Sequence, residues 1–143
     1  MGDRGARSVR VELEVRVAVS GGGDDLSRIL RVASGAGEGI RAHLLYRLGD
    51  SYALLILCTK PENAALALER EGFAVETETA VVVQTDGDGS AAVHLLATLE
   101  AAGVSISYSY ATFAGEDGLL LVVRTADNSL AEDVLRRYLL PGA

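Results

Sequence analysis

The stretch "TDGDGSAAVHLL", Thr85 to Leu96, places two carboxylates and a hydroxyl at alternate positions of a glycine-rich turn. Three chemistries use such a turn. An EF-hand calcium loop needs oxygen ligands at positions 1, 3 and 5, Gly at 6 and a bidentate Glu at 12. Counted from Asp86, the first three are Asp86, Asp88 and Ser90, but Ala91 and Ala97 stand where Gly and Glu belong. A Walker-type phosphate loop needs Lys after its glycines, and here Ala91 and Ala92 follow. What remains is a turn that delivers the chain to a helix N-terminus at Ser90 to Ala92. Free backbone N–H groups and the positive dipole end gather there and attract a carboxylate, while a nearby Asp attracts an ammonium. Together these describe an α-amino acid. The competing reading, that Asp88 or Ser90 simply caps the helix, stays open.

The other reactive residues are few. Two histidines and the single Cys58 do not make a structural zinc site. No metal or cofactor is expected. Cys58 reads as a small buried hydrophobe, and His94 as a solvated helix residue. "GAGEG", Gly35 to Gly39, follows a helix and precedes a strand, the reverse of a dinucleotide fingerprint. With no nucleophile–base pair, metal cluster or phosphate loop, the chain does not read as an enzyme. Tyr108 and Tyr110 invite a base-stacking reading, but the net charge of −7 and pI near 4.8 argue against nucleic acid. Arginines concentrate in residues 1–47 and the remainder is acidic. This is read as solvated faces or as complementary halves that help assembly. "MGDRGARSVR" has no apolar run behind its arginines, and "YALLILC" is far short of the ~20 residues of a membrane helix. A cytoplasmic protein away from membranes is expected.

Elements must position these groups, and the composition permits a packed core: 143 residues, 49% hydrophobic, mean hydropathy +0.24. Aromatics are only 5%, so aliphatic residues and Ala must fill it. "VRVELEVRVAV" alternates, with Val9, Val11, Leu13, Val15, Val17 and Val19 on one side, which predicts a half-buried strand. "LSRILRVA" carries Leu26, Ile29, Leu30 and Ala33 at helical spacing, with Asp25 as cap. "IRAHLLYRL", the turn "GDS" and "YALLILCT" predict an antiparallel hairpin. Thr59 with Glu62, and Pro61 between them, predicts a helix start, and Gly72 its stop. "FAVETE" reads as a fourth strand. The order then recurs: strand "AVVVQT", helix "AAVHLLATLEAA" ended by Gly103, strand "VSISYSYATF", strand "LLLVVRT", and a helix opened by Ser129 with Glu132.

Gly39-Ile40 matches Gly103-Val104, Tyr46 matches Tyr110 and Thr59 matches Thr125, an offset of about 65 residues. The fold class is therefore α+β: two ferredoxin-like β-α-β-β-α-β repeats with antiparallel sheets and helices on one face, over 9–78 and 79–140. The second copy lacks a fourth strand, and the long first strand has length to spare to cover that edge. "ALLIL" and "LLLVV" are apolar on both sides, so the helix-free face must also be covered, by the other repeat or by a second chain. In "SISYSY", Ile106, Tyr108 and Tyr110 share one face and the serines the other. In "IRAHLLYRL", Arg41, His43, Leu45 and Arg47 occupy the face of those serines, which aligns His43 with Ser107 near the helix-free face. A surface histidine without function is the alternative.

The repeated plan with "DGDGSAAVHLLATLEAAGVSISYSY" resembles the ACT domains, small-molecule regulatory modules. Their "Gly-Ile-Asn-Ile" strand appears here as "GVSI", Gly103 to Ile106. "TKPENAALALEREGFAVETETAVVV" is similar to the join between two such modules, and the resemblance spans about residues 10–140. It implies a stand-alone tandem ACT protein without a catalytic domain. It further implies a free amino acid or similar small ligand held between modules, at a dimer or inter-repeat interface. Effectors in that family contact the first turn of one module and the second strand of a neighbour. Carried over, this gives Asp86, Gly87, Asp88, Gly89 and Ser90 with Ser107, and in the first repeat Gly22, Gly23, Asp24, Asp25 and His43. The turn Pro of the family is absent from both repeats. A homodimer is expected. The alternative function is a ligand-free module that regulates a separate metabolic enzyme by protein–protein contact.

Overall fold

The computed structural model describes residues 6–20, 24–86, 89–113 and 118–139. Its elements follow in the order β1 (Ala6–Val19), α1 (Asp25–Ala36), β2 (Ile40–Leu48), β3 (Ser51–Cys58), α2 (Pro61–Arg70), β4 (Val75–Thr85), α3 (Gly89–Ala101), β5 (Ile106–Phe113), β6 (Leu119–Thr125) and α4 (Asn128–Leu139). "FAVETE" and "AVVVQT", read as separate strands, are one strand, β4. Between Val75 and Thr85 there is no Gly or Pro to break an extended chain. The α+β class and the repeated ferredoxin-like plan stand as read.

Two compact units form. The first is Leu13–Glu78, and the second joins the β1 residues up to Glu12 to the segment from Thr79 onward. In the first the strand order is β2-β3-β1-β4, with β1 and β2 each antiparallel to β3. The hairpin closes at Leu48↔Ser51, as the "GDS" turn predicts. Val15, Val17, Leu54, Ile56 and Cys58 pack beneath Ile29 and Ala33 of α1 and Ala64 and Leu68 of α2. That apolar stripe at 3.6-residue spacing is what makes these helices dock on one face. Arg28 ties the helix layer together: it pairs with Glu71 at 3.4 Å and lies 5.0 Å from the centroid of the Phe73 ring.

In the second unit the order is β1-β4-β6-β5, so the early half of β1 supplies the fourth strand that this repeat lacks. Val9 is sunk in its core with Val81, Val83, Leu95, Leu99, Leu121 and Leu135. Val11, expected inside, is 38% exposed. The β3 and β6 side chains that point away from the helices, Leu55, Leu57, Leu120 and Val122, are nonetheless buried in the single chain. Their apolarity therefore does not by itself call for a second copy.

The helix starts differ from the capping patterns. Asp25 is the first residue of α1 and Asp24 occupies the cap position, without a side-chain cap bond. At α2, Lys60 rather than Thr59 precedes Pro61, and its N–H donates to the Gly37 carbonyl at 2.7 Å. At α4, Asp127 caps in place of Ser129: its Oδ1 accepts the Leu130 N–H at 3.1 Å. Asn128 adds a clasp, its Oδ1 accepting the Thr125 N–H at 2.9 Å and its Nδ2 donating to the Thr79 carbonyl at 2.9 Å. The "GAGEG" segment is structural. A Cβ on Gly37 would meet the Ala33 carbonyl at 2.6 Å and Cys58 Sγ at 2.7 Å, so only glycine lets the end of α1 lie against β3.

Candidate functional site

Each unit carries a turn from its first strand into its first helix. In the first unit, Asp24 is exposed, and its carbonyl accepts the Arg28 N–H at 3.0 Å and the Ser27 hydroxyl at 3.2 Å. Its carboxylate contributes no cap bond, which leaves that charge at the positive end of α1. Asp25, half-buried, accepts the Ser20 hydroxyl at 2.9 Å and braces the turn. Gly22 and Gly23 lie outside the described residues.

In the second unit, β4 ends at buried Thr85, and Asp86 and Ser90 are exposed on either side of the start of α3 at Gly89. Gly87 and Asp88 lie outside the described residues. A residue that sequence reasoning missed fixes this turn. Gly118 has φ +77, and a Cβ there would collide with the carbonyl oxygen of Thr85. Its backbone packs on the residue before Asp86, where Thr85 pairs with Leu119. The signal was present in "GEDG", a Gly just before an apolar strand, but its close partner is 33 positions earlier in the chain.

The strand residues fall elsewhere. Ser107 is exposed at a β-bulge between Ile106 and Tyr108. The other end of β5, at Phe113, is the end near α3: a Cβ on Gly89 would sit 3.9 Å from the Phe113 ring. Six residues of strand put Ser107 roughly 20 Å from that end. The second unit therefore brings Asp86, Gly89 and Ser90 together and leaves Ser107 apart from them.

The bulge also corrects the face assignment. A bulge inserts one residue and inverts the alternation beyond it. Ile106 packs with the helix-covered core, whereas Tyr108 pairs with Arg124 and Tyr110 with Val122 on the opposite face. The two tyrosine rings stack there, 6.4 Å apart. In β2 the bulge lies between Ile40 and Ala42, at Arg41. His43 consequently pairs with Ile56, on the helix-covered side and at the exposed sheet edge, not on the helix-free face. By bulge position the counterpart of Ser107 is Arg41, a cation suited to a carboxylate. Burial pushes the nearby Cys58 thiol up from its ordinary value, against weaker lowering by the Lys60 N–H and then by Arg41. Among the described residues no group of His, Cys, Asp and Glu is arranged to hold a metal ion.

Two such units in succession, each a sheet under two helices with a turn at the first helix, match one family model, the ACT domain pair, over residues 14–140. The chain belongs to the ACT domain pair family. The solved structures it is similar to agree on the fold. A Bacteroides thetaiotaomicron protein shares 23% identity and a TM-score of 0.78, over 90% of this chain and 89% of that one. The ligand-free regulatory subunit of aspartate kinase from Thermus thermophilus shares 11% identity and a TM-score of 0.62, over 93% and 98%. The corresponding subunit from Thermus flavus shares 12% and 0.55, over 94% and 98%. No curated protein matches the chain. ACT domains are regulatory rather than catalytic modules, and this ACT pair has the tandem ferredoxin-like plan of those regulatory subunits.

Proposed function

We propose that this ACT pair is a non-enzymatic regulatory protein that binds a free amino acid. The observation that carries the reading is the family match over residues 14–140, which spans both strand-to-helix turns. Regulatory subunits of aspartate kinase share the plan, so a metabolic enzyme in the cytoplasm is the kind of partner it would control. The ligand's carboxylate lies on the N–H groups that open α1 or α3. Its ammonium lies on Asp24 in one turn and on Asp86 or Asp88 in the other, with Asp25, Ser90 and the turn glycines shaping the rim. The strand contact, Ser107 or the His43–Arg41 segment, comes from a second copy in a homodimer. The roughly 20 Å separating Ser107 from the turn of its own unit supports that division.

A thermal-shift screen of the whole chain against the twenty amino acids tests this. A true ligand at a hundred times its Kd adds about 2.7 kcal/mol of stability, a shift of several degrees. Asp24→Ala and Ser107→Ala should remove or weaken the shift while leaving the apo melting temperature nearly unchanged. Both side chains are exposed, and Asp24 makes no cap bond. No shift with any amino acid, in a protein still dimeric by light scattering, would replace this reading with the ligand-free interaction module.

A further inference from the structure

The first unit holds a cleft of about 550 Å³ that none of the turn residues lines. It lies where the end of β1, the β2–β3 hairpin and the start of β4 meet. Small residues, Ala18, Ala53 and Ala74, are prominent in its lining. Small side chains on three neighbouring segments are what leave the space open. Arg16 and Ala18 reach it because Val15 and Val17, their alternates on β1, point into the helix-covered core.

Two charges of opposite sign also line the cleft, Arg16 and Glu76. Arg16 is half-buried and Glu76 exposed. Among the described residues, neither makes an ion pair with the other or with any third group. The volume is in the range of small-molecule sites. Guanidinium is the group best matched to a carboxylate, taking it through two parallel N–H donors.

We infer that this cleft is a second ligand site, distinct from the turns, for a small zwitterion with an apolar side chain. The carboxylate lies on Arg16 and the ammonium on Glu76. The side chain covers the three alanines. The inference does not depend on the turns binding anything, because it rests on other residues of the first unit.

The test is a methyl NMR titration of the whole chain, labelled at alanine, with L-leucine. The methyls of Ala18, Ala53 and Ala74 should shift saturably. Arg16→Gln and Glu76→Gln should each weaken the titration about tenfold or more, the usual effect of losing a charge-assisted hydrogen bond. N-acetyl-leucine, which lacks the ammonium, and leucinamide, which lacks the carboxylate, should each bind about as poorly to the unaltered chain. Asp24→Ala should leave the cleft titration intact. Alanine methyls outside the cleft report whether each variant is folded, and Glu76→Gln, at an exposed position, keeps the test valid if Arg16→Gln is not. The inference is overturned if leucine, methionine and phenylalanine all leave the three methyls unmoved. It is also overturned if only Ala91 and Ala92, beside the start of α3, respond; that outcome would leave the turn reading standing.

Discussion

Gly118 shows how one residue can hold a candidate site without touching a ligand. Its positive φ is strained for any other residue, and a Cβ would strike the Thr85 carbonyl. Gly118→Ala should therefore cost roughly 1–3 kcal/mol, read as a lowered urea midpoint, and should disturb the Asp86 turn more than the first unit. Cys58 makes a second prediction at this scale. Burial, the largest influence, raises its thiol above the ordinary 9.0, against the weaker lowering by the Lys60 N–H and Arg41. A raised pKa means the folded protein keeps its proton where the unfolded chain has lost it. The associated stability is complete below about pH 9 and is lost as pH climbs through the folded value. Urea unfolding at pH 8 and pH 10 should show a larger alkaline loss for the natural protein than for Cys58→Ala; equal losses would contradict the assignment.

Among the elements, the strands and helices were legible because their hydrophobic periods are set locally. The exceptions have identifiable causes. β4 was cut in two because the repeat boundary falls at Glu78, although no breaker stands there. The bulges at Arg41 and Ser107 could not be read, because a bulge is a mismatch in length between two strands and appears only in their register. That is why His43 was assigned to the wrong face and to the wrong counterpart. Thr59 and Ser129 each have an acidic residue three positions on, yet the helices begin at Pro61 and Asn128. Proline's fixed φ set the first start, and the Asp127–Asn128 clasp set the second. The role of β1 was visible as surplus length, and it yields a prediction. Val9 lies in the second unit's core, so Val9→Ala should cost about 2 kcal/mol. Hydrogen exchange should locate the loss in β4, β6, α3 and α4; a loss confined to β2, β3, α1 and α2 would contradict the assignment.

At the scale of the whole molecule, the chain is a pair of ACT modules, and family membership is what turns two acidic strand-to-helix turns into a candidate amino-acid site. Residue types alone left Asp88 and Ser90 between helix cap and ligand contact. The fold added that Asp24 is exposed and makes no cap bond, and that the strand residue Ser107 lies far from the turn of its own unit. The proposed site, completed by a second copy, accords with those two facts, and it would make ligand binding and dimerisation one equilibrium. The most direct measurement is a calorimetric titration of the whole chain with each of the twenty amino acids, at protein concentrations above and below the dimer's dissociation constant. The account predicts a saturable isotherm for at least one amino acid, tighter where the dimer prevails and lost in Asp24→Ala or Ser107→Ala. Flat titrations with all twenty, for a folded and dimeric protein, would contradict it.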